Sequence, residues 1–220
     1  MSAQRGQDSL LSADSVLHRA AERLAHQFTG MVNEETVERM VFESYTALAR
    51  TANVSTHLPT VAEKFARDRL VALAQSRGLI AKPVPEILYV CVQNSGRSQM
   101  AAAITRHLGG DRVRVRSAGS QPAAGLLPGV AAVLHELGID VTDEFPKPLT
   151  DDVVRAADAV VTMGCGDACP LYPGKRYLDW QLDDPADLDL DGIRAVRDEI
   201  HQHVEHLLTE LTPGLAATRS

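Results

Sequence analysis

Residues 87–108 read ILYVCVQNSGRSQMAAAITRHL, and this stretch decides the fold. Its first four residues form a short apolar run that is typical of a buried strand, and residues 98–108 are predicted to be a helix. Between the two lies the loop Cys91-Val92-Gln93-Asn94-Ser95-Gly96-Arg97-Ser98. A strand that passes through a short loop into a helix begins a βα unit, so the stretch predicts a parallel α/β sheet.

The alternation of strands and helices continues to the end of the chain. Further strands are predicted at 113–119, 159–163 and 176–180, and further helices at 128–137, 149–157 and 193–211. Such alternation is typical of a parallel sheet that is covered by helices on both faces. In these sheets ligands bind beyond the carboxyl ends of the strands, which is where the Cys91 loop lies.

The first 82 residues have a different pattern. Apolar residues recur at helical spacing in three segments, which lie at 16–28, 34–48 and 58–78. Three amphipathic helices with short connections predict a small three-helix bundle, and the polar residues 1–10 are interpreted as a frayed terminus. Two prolines in residues 81–85 indicate a linker or domain boundary after the three helices. We therefore expect an N-terminal accessory domain at 1–82 and an α/β domain at 83–220.

The composition excludes several classes of protein. No run of about 18 apolar residues occurs, so no partnership with a membrane is expected. Residues 1–82 carry ten Lys/Arg against nine Asp/Glu, and the remainder carries 12 against 20. Neither part has the clustered positive charge that nucleic-acid binding requires. All three cysteines follow residue 90 and no secretory signal is recognisable, which together indicate a reducing cytoplasm.

The Cys91 loop has the residues that bind and attack a tetrahedral oxyanion. A loop between a strand and a helix directs successive backbone N–H groups inward, and the helix N-terminus adds roughly half a positive charge. The planar fork of Arg97 can bind two oxygens of the anion. The same field favours a thiolate at Cys91, to which Ser98 can donate a hydrogen bond while Asn94 braces the loop. The expected oxyanion-binding residues are Val92, Gln93, Asn94, Ser95, Gly96, Arg97 and Ser98.

A buried structural cysteine beside a helix cap is the alternative interpretation of this loop. A nucleotide-binding loop is excluded because the pattern G-x-x-x-x-G-K-[ST] is absent. The position of Cys91 between a predicted strand and a predicted helix favours a nucleophile.

Several motifs follow one another in an order that resembles a known family. They are Cys91-x5-Arg97-Ser98-Gln99-Met100-Ala101, Ser117-Ala118-Gly119, Lys147-Pro148-Leu149, VVTMGCGDACP at 160–170 and DWQLDDP at 179–185. The chain from residue 87 to about 211 resembles low-molecular-weight protein tyrosine phosphatases, and more closely their thioredoxin-coupled arsenate reductase relatives. Residues 1–82 resemble the accessory bundle found ahead of some actinobacterial members. The resemblance implies a four-stranded parallel sheet with the strand order 2-1-3-4, and the reduction of arsenate to arsenite.

The resemblance also implies roles for three residues outside the loop. The family carries a general acid in an Asp-Pro pair, which Asp184-Pro185 matches, although the residues alone do not separate Asp184 from Asp183. In thioredoxin-coupled relatives, Cys165 would attack the Cys91–arsenic adduct and leave a Cys91–Cys165 disulfide. Cys169 would then attack Cys165 and carry the disulfide to the surface for thioredoxin.

Three alternative functions stay open. Some actinobacterial relatives pass the arsenic to mycothiol and mycoredoxin, and these need only Cys91. A tyrosine phosphatase needs only Cys91, Arg97 and Asp184, but it also needs aromatic residues beside the acid, and only Trp180 is close. Trp180 is equally compatible with a packing role. A non-catalytic module would bind arsenate without consuming thiols.

No cofactor and no metal are expected. Cys165 and Cys169 alone are a weak set of metal ligands. Some relatives bind potassium near the loop through an acidic residue at the position of Ala102, and alanine cannot supply that ligand. His203 and His206 on the last predicted helix are interpreted as part of a solvated polar face.

Overall fold

The computed structural model describes residues 2–52, 56–164 and 169–212, with side chains described from residue 13 onward. The chain divides into two compact units, Met1–Ala81 and Lys82–Ser220. The first unit is helical, and the second contains the sheet. No helix in the described ranges is both long enough and apolar enough to cross a membrane.

The first unit contains the three predicted helices, α1 (Ser2–Gln27), α2 (Glu34–Ala49) and α3 (Leu58–Ser76). The Asn33 side chain accepts a hydrogen bond from the Thr36 N–H at 2.9 Å and so caps α2, and Pro59 lies in the first turn of α3. The apolar residues at helical spacing form a buried core, which includes Leu17, Leu24, Phe28, Val37, Val41, Phe65 and Leu70.

Helix α1 is longer than predicted. The interpretation of residues 1–10 as a frayed terminus is wrong, because the helix begins at Ser2. These residues contain no proline, and extending an existing helix costs less than nucleating one. The spacing of apolar residues indicates only the buried face of a helix, so it did not predict the polar extension of α1 over residues 2–10.

The second unit contains the predicted four-stranded sheet. Its strands are β1 (Glu86–Cys91), β2 (Arg114–Gly119), β3 (Ala159–Met163) and β4 (Arg176–Asp179). All pairs are parallel and the order is β2-β1-β3-β4, which confirms the implied order 2-1-3-4. The central strand β1 is buried along its whole length, because helices cover both faces of a parallel sheet.

In the described part of the second unit, the α-helices that pack around this sheet are α4 (Arg97–Gly109), α5 (Pro128–His135), α6 (Asp151–Ala156) and α7 (Leu190–Leu211). One core joins Ile87 and Tyr89 of β1 to apolar residues of α4, α5 and α7. Helix α7 begins three residues before its predicted start, because the Asp189 side chain accepts from the Gly192 N–H at 2.9 Å and caps a polar first turn. This packing fixes the carboxyl end of β1 against the N-terminus of α4.

Candidate active site

Cys91 is the last residue of β1 and lies at the carboxyl edge of the sheet. The residue is only 3% exposed. Its Sγ lies 2.9 Å from Ser98 Oγ, and the Asn94 N–H donates to the sulfur at 3.2 Å. A thiolate at this position accepts hydrogen bonds from both groups, and the thiolate is the form of cysteine that acts as a nucleophile.

The carbonyl groups of the Cys91 loop are held from outside by the segment 119–127. The backbone hydrogen bonds, with the donor first, are Ser120 to Cys91 (3.2 Å), Gln121 to Val92 (2.8 Å), Ala123 to Gln93 (2.9 Å) and Leu127 to Ser95 (3.0 Å). In a trans peptide the carbonyl and the following N–H point in opposite directions. The N–H groups that follow these carbonyls are therefore turned away from the segment, and that of Asn94 points at Cys91 Sγ. Inward N–H groups of this kind form a nest for an oxyanion.

Asn94 stabilises the shape of the loop. Its φ of 48° lies in the left-handed region, which residues other than glycine seldom adopt, and its side chain is fully buried. Oδ1 accepts from the Lys147 N–H at 2.8 Å and from Gln99 Nε2 at 3.1 Å, while Nδ2 donates to Ser98 Oγ at 2.7 Å. These three bonds fix the orientation of the Asn94 amide and offset the backbone strain.

Gly119 allows the segment 119–127 to approach the loop. A Cβ at this position would lie 2.7 Å from the Val92 carbonyl oxygen and 2.9 Å from the Asn94 nitrogen. Both are backbone atoms of the oxyanion loop, so they cannot move aside as the end of a flexible side chain can.

Replacement of Gly119 by alanine is expected to displace the oxyanion loop. Since a shift of about 1 Å can cost two orders of magnitude in a positioned site, we expect a tetrahedral oxyanion, with arsenate as the probe, to bind at least about tenfold more weakly. The free energy of unfolding should fall by about 1–3 kcal/mol, as for other overpacked positions. Calorimetric titration with arsenate and urea denaturation measure the two effects.

Gly125→Ala is the matched control, because a Cβ on Gly125, in the same segment, would meet nothing within 4 Å. This variant should bind arsenate and unfold as the wild type does. Equal arsenate affinities for the Gly119 and Gly125 variants would show that contact with Gly119 does not shape the loop.

Arg97, the first residue of α4, faces the acid loop, which we define as residues 180–187. Its Nη2 donates to Asp184 Oδ2 at 2.5 Å and its Nη1 donates to the Leu182 carbonyl at 3.3 Å. The Arg97 side chain is 11% exposed and that of Asp184 is 49% exposed, so the pair lies at the mouth of the site. The contact with Arg97 places the Asp184 carboxyl group beside the oxyanion loop.

Two glycines allow Arg97 and the acid loop to pack against the site. A Cβ on Gly96 would lie 2.6 Å from Pro185 Cγ, and a Cβ on Gly164 would lie 2.9 Å from Arg97 Nη1. The acid loop therefore rests directly on the oxyanion loop, and Gly164, the residue after β3, lies against the Arg97 guanidinium group.

The structure places one of the two later cysteines. Cys169 is 8% exposed. Cys165 lies outside the described residues, so its predicted attack on Cys91 has no geometry here.

Trp180 packs in the core. It is 7% exposed, its ring stacks on His203 with the centroids 4.8 Å apart, and its centroid lies 5.6 Å from that of Tyr89. It is therefore unavailable to clamp an aromatic substrate. In the described part of the chain, no group of three His, Cys, Asp or Glu side chains is placed to hold a metal ion.

Sequence reasoning missed the residues that hold the loop from outside. The anchoring by the segment 119–127 uses backbone N–H groups, which leave no pattern of side chains to recognise. Gln99 and Lys147 both lie in the quoted motifs, but nothing in the sequence indicated that they meet at the Asn94 amide.

Comparisons with known proteins agree with this geometry. Residues 86–216 match the family described as low molecular weight phosphotyrosine protein phosphatase. Residues 17–74 match the protein-tyrosine-phosphatase-like N-terminal domain. The chain is 48% identical to a solved thioredoxin-dependent arsenate reductase from Corynebacterium glutamicum, with a TM-score of 0.82, over 91% of this chain and 98% of that chain.

Two curated relatives match the α/β part of the chain. A putative arsenate reductase from Halobacterium salinarum is 35% identical over 130 residues, which cover 57% of this chain and 92% of the relative. Arsenate reductase 1 from Staphylococcus epidermidis is 37% identical over 123 residues, which cover 54% of this chain and 92% of the relative.

Proposed function

The chain belongs to the low molecular weight phosphotyrosine protein phosphatase family, and we propose that it is an arsenate reductase. Cys91 is the nucleophile, residues 92–98 bind arsenate, and Asp184 is the general acid. The observation that carries the proposal is the convergence of Ser98 and Asn94 on the Cys91 sulfur beside the Arg97–Asp184 pair. The similarity to three arsenate reductases supports arsenate as the oxyanion.

The first step is the attack of the Cys91 thiolate on arsenic. A sulfur–arsenic bond forms, and one arsenate oxygen leaves as water after it accepts a proton from Asp184. The Asp184 carboxyl group lies 2.5 Å from the Arg97 guanidinium group, so an oxyanion held by the Arg97 fork has its oxygens close to this carboxyl group.

The two electrons that reduce arsenic come from cysteine thiols. Cys165 attacks the Cys91 sulfur, the sulfur–arsenic bond breaks with its electron pair left on arsenic, and arsenite leaves. The resulting Cys91–Cys165 disulfide is attacked by Cys169, which releases the Cys91 thiolate and forms a Cys165–Cys169 disulfide. Since Cys169 is buried in this structure, its segment must open before an external dithiol reaches that disulfide.

Thioredoxin is the proposed external reductant. The support is the similarity to the Corynebacterium glutamicum protein, which is described as thioredoxin-dependent. A thioredoxin partner places the chain in a reducing cytoplasm. The alternative is mycothiol with mycoredoxin, in which case Cys91 acts without Cys165 and Cys169.

The burial of Trp180 argues against a tyrosine phosphatase. Phosphotyrosine recognition requires aromatic rings beside the acid, and Trp180 is committed to Tyr89 and His203. Arsenate has no ring to clamp, so a site built from the loop, Arg97 and Asp184 suffices for it.

We assign the chemistry to residues 83–220 and an accessory role to residues 1–82. The proposed nucleophile Cys91, the general acid Asp184 and the thiols Cys165 and Cys169 all lie within residues 83–220. The match of residues 17–74 to a separate N-terminal domain supports the division.

Steady-state arsenite production tests the disulfide relay, by which we mean the transfer of the disulfide from Cys91 through Cys165 to Cys169. The rate is measured with thioredoxin and thioredoxin reductase and, separately, with mycothiol and mycoredoxin. We expect thioredoxin-coupled turnover by the wild type, and a loss of at least about 100-fold in Cys165→Ser and Cys169→Ser, because each variant interrupts the transfer of the disulfide. Full thioredoxin-coupled activity of Cys165→Ser would contradict the relay. No arsenite with either reductant would contradict arsenate reduction itself, and rapid aryl phosphate hydrolysis unaffected by Cys165→Ser would indicate a phosphatase.

A further inference from the structure

The hydroxyl group of Tyr177 makes hydrogen bonds to two residues of the segment that follows Cys169. Tyr177 lies on β4, where it is paired with Val160 of β3. Its hydroxyl donates to the Pro170 carbonyl at 3.1 Å and accepts from the Tyr172 N–H at 2.8 Å. A single side chain on a rigid strand thus holds both ends of the turn 170–172, which begins directly after the cysteine.

The Cys169 thiol lies against the same carbonyl group. Cys169 Sγ is 3.9 Å from the Pro170 oxygen that accepts the Tyr177 hydroxyl. Burial raises the pKa of Tyr177, and the charge of a Cys169 thiolate raises it further. Tyr177 therefore remains a neutral hydrogen-bond donor when Cys169 loses its proton.

The charge of Cys169 decides which acceptor the Tyr177 hydroxyl group favours. While Cys169 is a thiol, the hydroxyl donates to the Pro170 carbonyl and keeps the turn closed. A carbonyl oxygen repels a thiolate, whereas a hydroxyl stabilises one by donating to it. A phenolic hydrogen turns to suit its acceptor, and the Cys169 sulfur lies beside the carbonyl oxygen that the hydroxyl contacts.

We propose that Tyr177 is a positioning residue for Cys169, which holds the turn 170–172 and donates a hydrogen bond to the Cys169 thiolate during disulfide transfer. The inference rests on the proposed function, since it names the residue that prepares the last thiol of the relay. The Cys169 thiol gives its proton to water, and its sulfur attacks Cys165 in the Cys91–Cys165 disulfide. The Cys165–Cys169 bond forms while the Cys91–Cys165 bond breaks, and the electron pair of the broken bond leaves on Cys91. The exchange itself consumes no external electrons, and the dithiol of thioredoxin later supplies two.

Tyr177→Phe tests this assignment, with Tyr172→Phe as the matched control. The control removes a phenolic hydroxyl five residues away but keeps the Tyr172 backbone N–H that contacts Tyr177. The first measurement is the pH dependence of alkylation of Cys169 by iodoacetamide, in full-length chains that carry Cys91→Ser and Cys165→Ser so that only one thiol reacts. We expect Tyr177→Phe to move the midpoint upward by at least about half a pH unit, and Tyr172→Phe to leave it in place.

The second measurement separates the first turnover from the relay in chains that keep all three cysteines. Arsenite released by the reduced protein without external reductant should be the same for Tyr177→Phe and wild type. Thioredoxin-coupled steady-state turnover should fall about tenfold in Tyr177→Phe and remain unchanged in Tyr172→Phe. If Tyr177 only held the turn, its loss would expose Cys169 and move the alkylation midpoint downward, because burial disfavours a thiolate.

An unchanged alkylation midpoint together with unchanged steady-state turnover would overturn the assignment of Tyr177. A wild-type chain that released no arsenite would instead overturn the proposed function. The alkylation profile would still decide whether Tyr177 acts on Cys169, so the two failures are distinguishable.

Discussion

The Cys91→Ser variant is expected to release no measurable arsenite and yet to bind arsenate within about threefold of the wild-type affinity. A serine hydroxyl does not ionise near neutral pH, so the attack on arsenic is lost. The groups that bind the anion remain, because the loop carbonyls are anchored by the segment 119–127 and not by the sulfur. A colorimetric or chromatographic arsenite assay measures the first effect, and calorimetric titration with arsenate measures the second.

Cys169→Ser is the control for this prediction, since it also replaces a buried thiol by a hydroxyl. It should retain the first turnover and fail only in the steady state. Arsenite from Cys91→Ser would show that another thiol is the nucleophile. A loss of arsenate binding in Cys91→Ser would show that the nest depends on the sulfur.

The Arg97→Lys variant is expected to lose about 10²–10³-fold in kcat/KM for arsenate reduction. Lysine keeps the positive charge but lacks the planar fork, so it cannot bind two oxygens of the anion at once. It also loses the paired contacts with Asp184 and the Leu182 carbonyl that fix the acid loop over the site. Both kcat and KM should therefore change, and steady-state kinetics at several arsenate concentrations separates them.

Arg194→Lys is the matched control on the surface. Arg194 forms ion pairs with Glu136 and Asp191, and its side chain is exposed. The proposed mechanism gives Arg194 no part in binding the oxyanion. Its replacement should leave kcat/KM unchanged, as is usual for exposed ion pairs. If Arg97→Lys retained wild-type kcat/KM, a fixed charge rather than the fork would be sufficient, and the assigned role of Arg97 would be wrong.

The sequence was most informative where structure depends on local patterns. The apolar run at 87–90 predicted the buried strand β1, because both faces of a central parallel strand are covered by helices. The helical spacing at 34–48 predicted α2, and Asn33 marked its start. The position of Cys91 between a strand and a helix followed from the same patterns, and the resemblance to a family added the strand order.

The sequence was least informative about contacts between segments that are distant in the chain. The bonds from residues 119–127 to the Cys91 loop are made by backbone groups of residues that are distant in the chain. The residues alone did not separate Asp183 from Asp184; the resemblance to the family favoured Asp184, and the structure adds its contact with Arg97, a residue distant in the chain. Nor did it choose between a pocket and a packing role for Trp180, because stacking on His203 depends on how α7 lies beside the sheet.

The most direct test of the account is the amount of arsenite that the fully reduced wild-type chain releases from arsenate without any external reductant. The thiolate chemistry assigned to Cys91 and its partner thiols predicts about one arsenite per chain, with the loss of two titratable thiols. The same measurement on Cys91→Ser should give none. Release of no arsenite by the reduced wild type, with arsenate bound and Cys91 intact, would contradict arsenate reduction at this site.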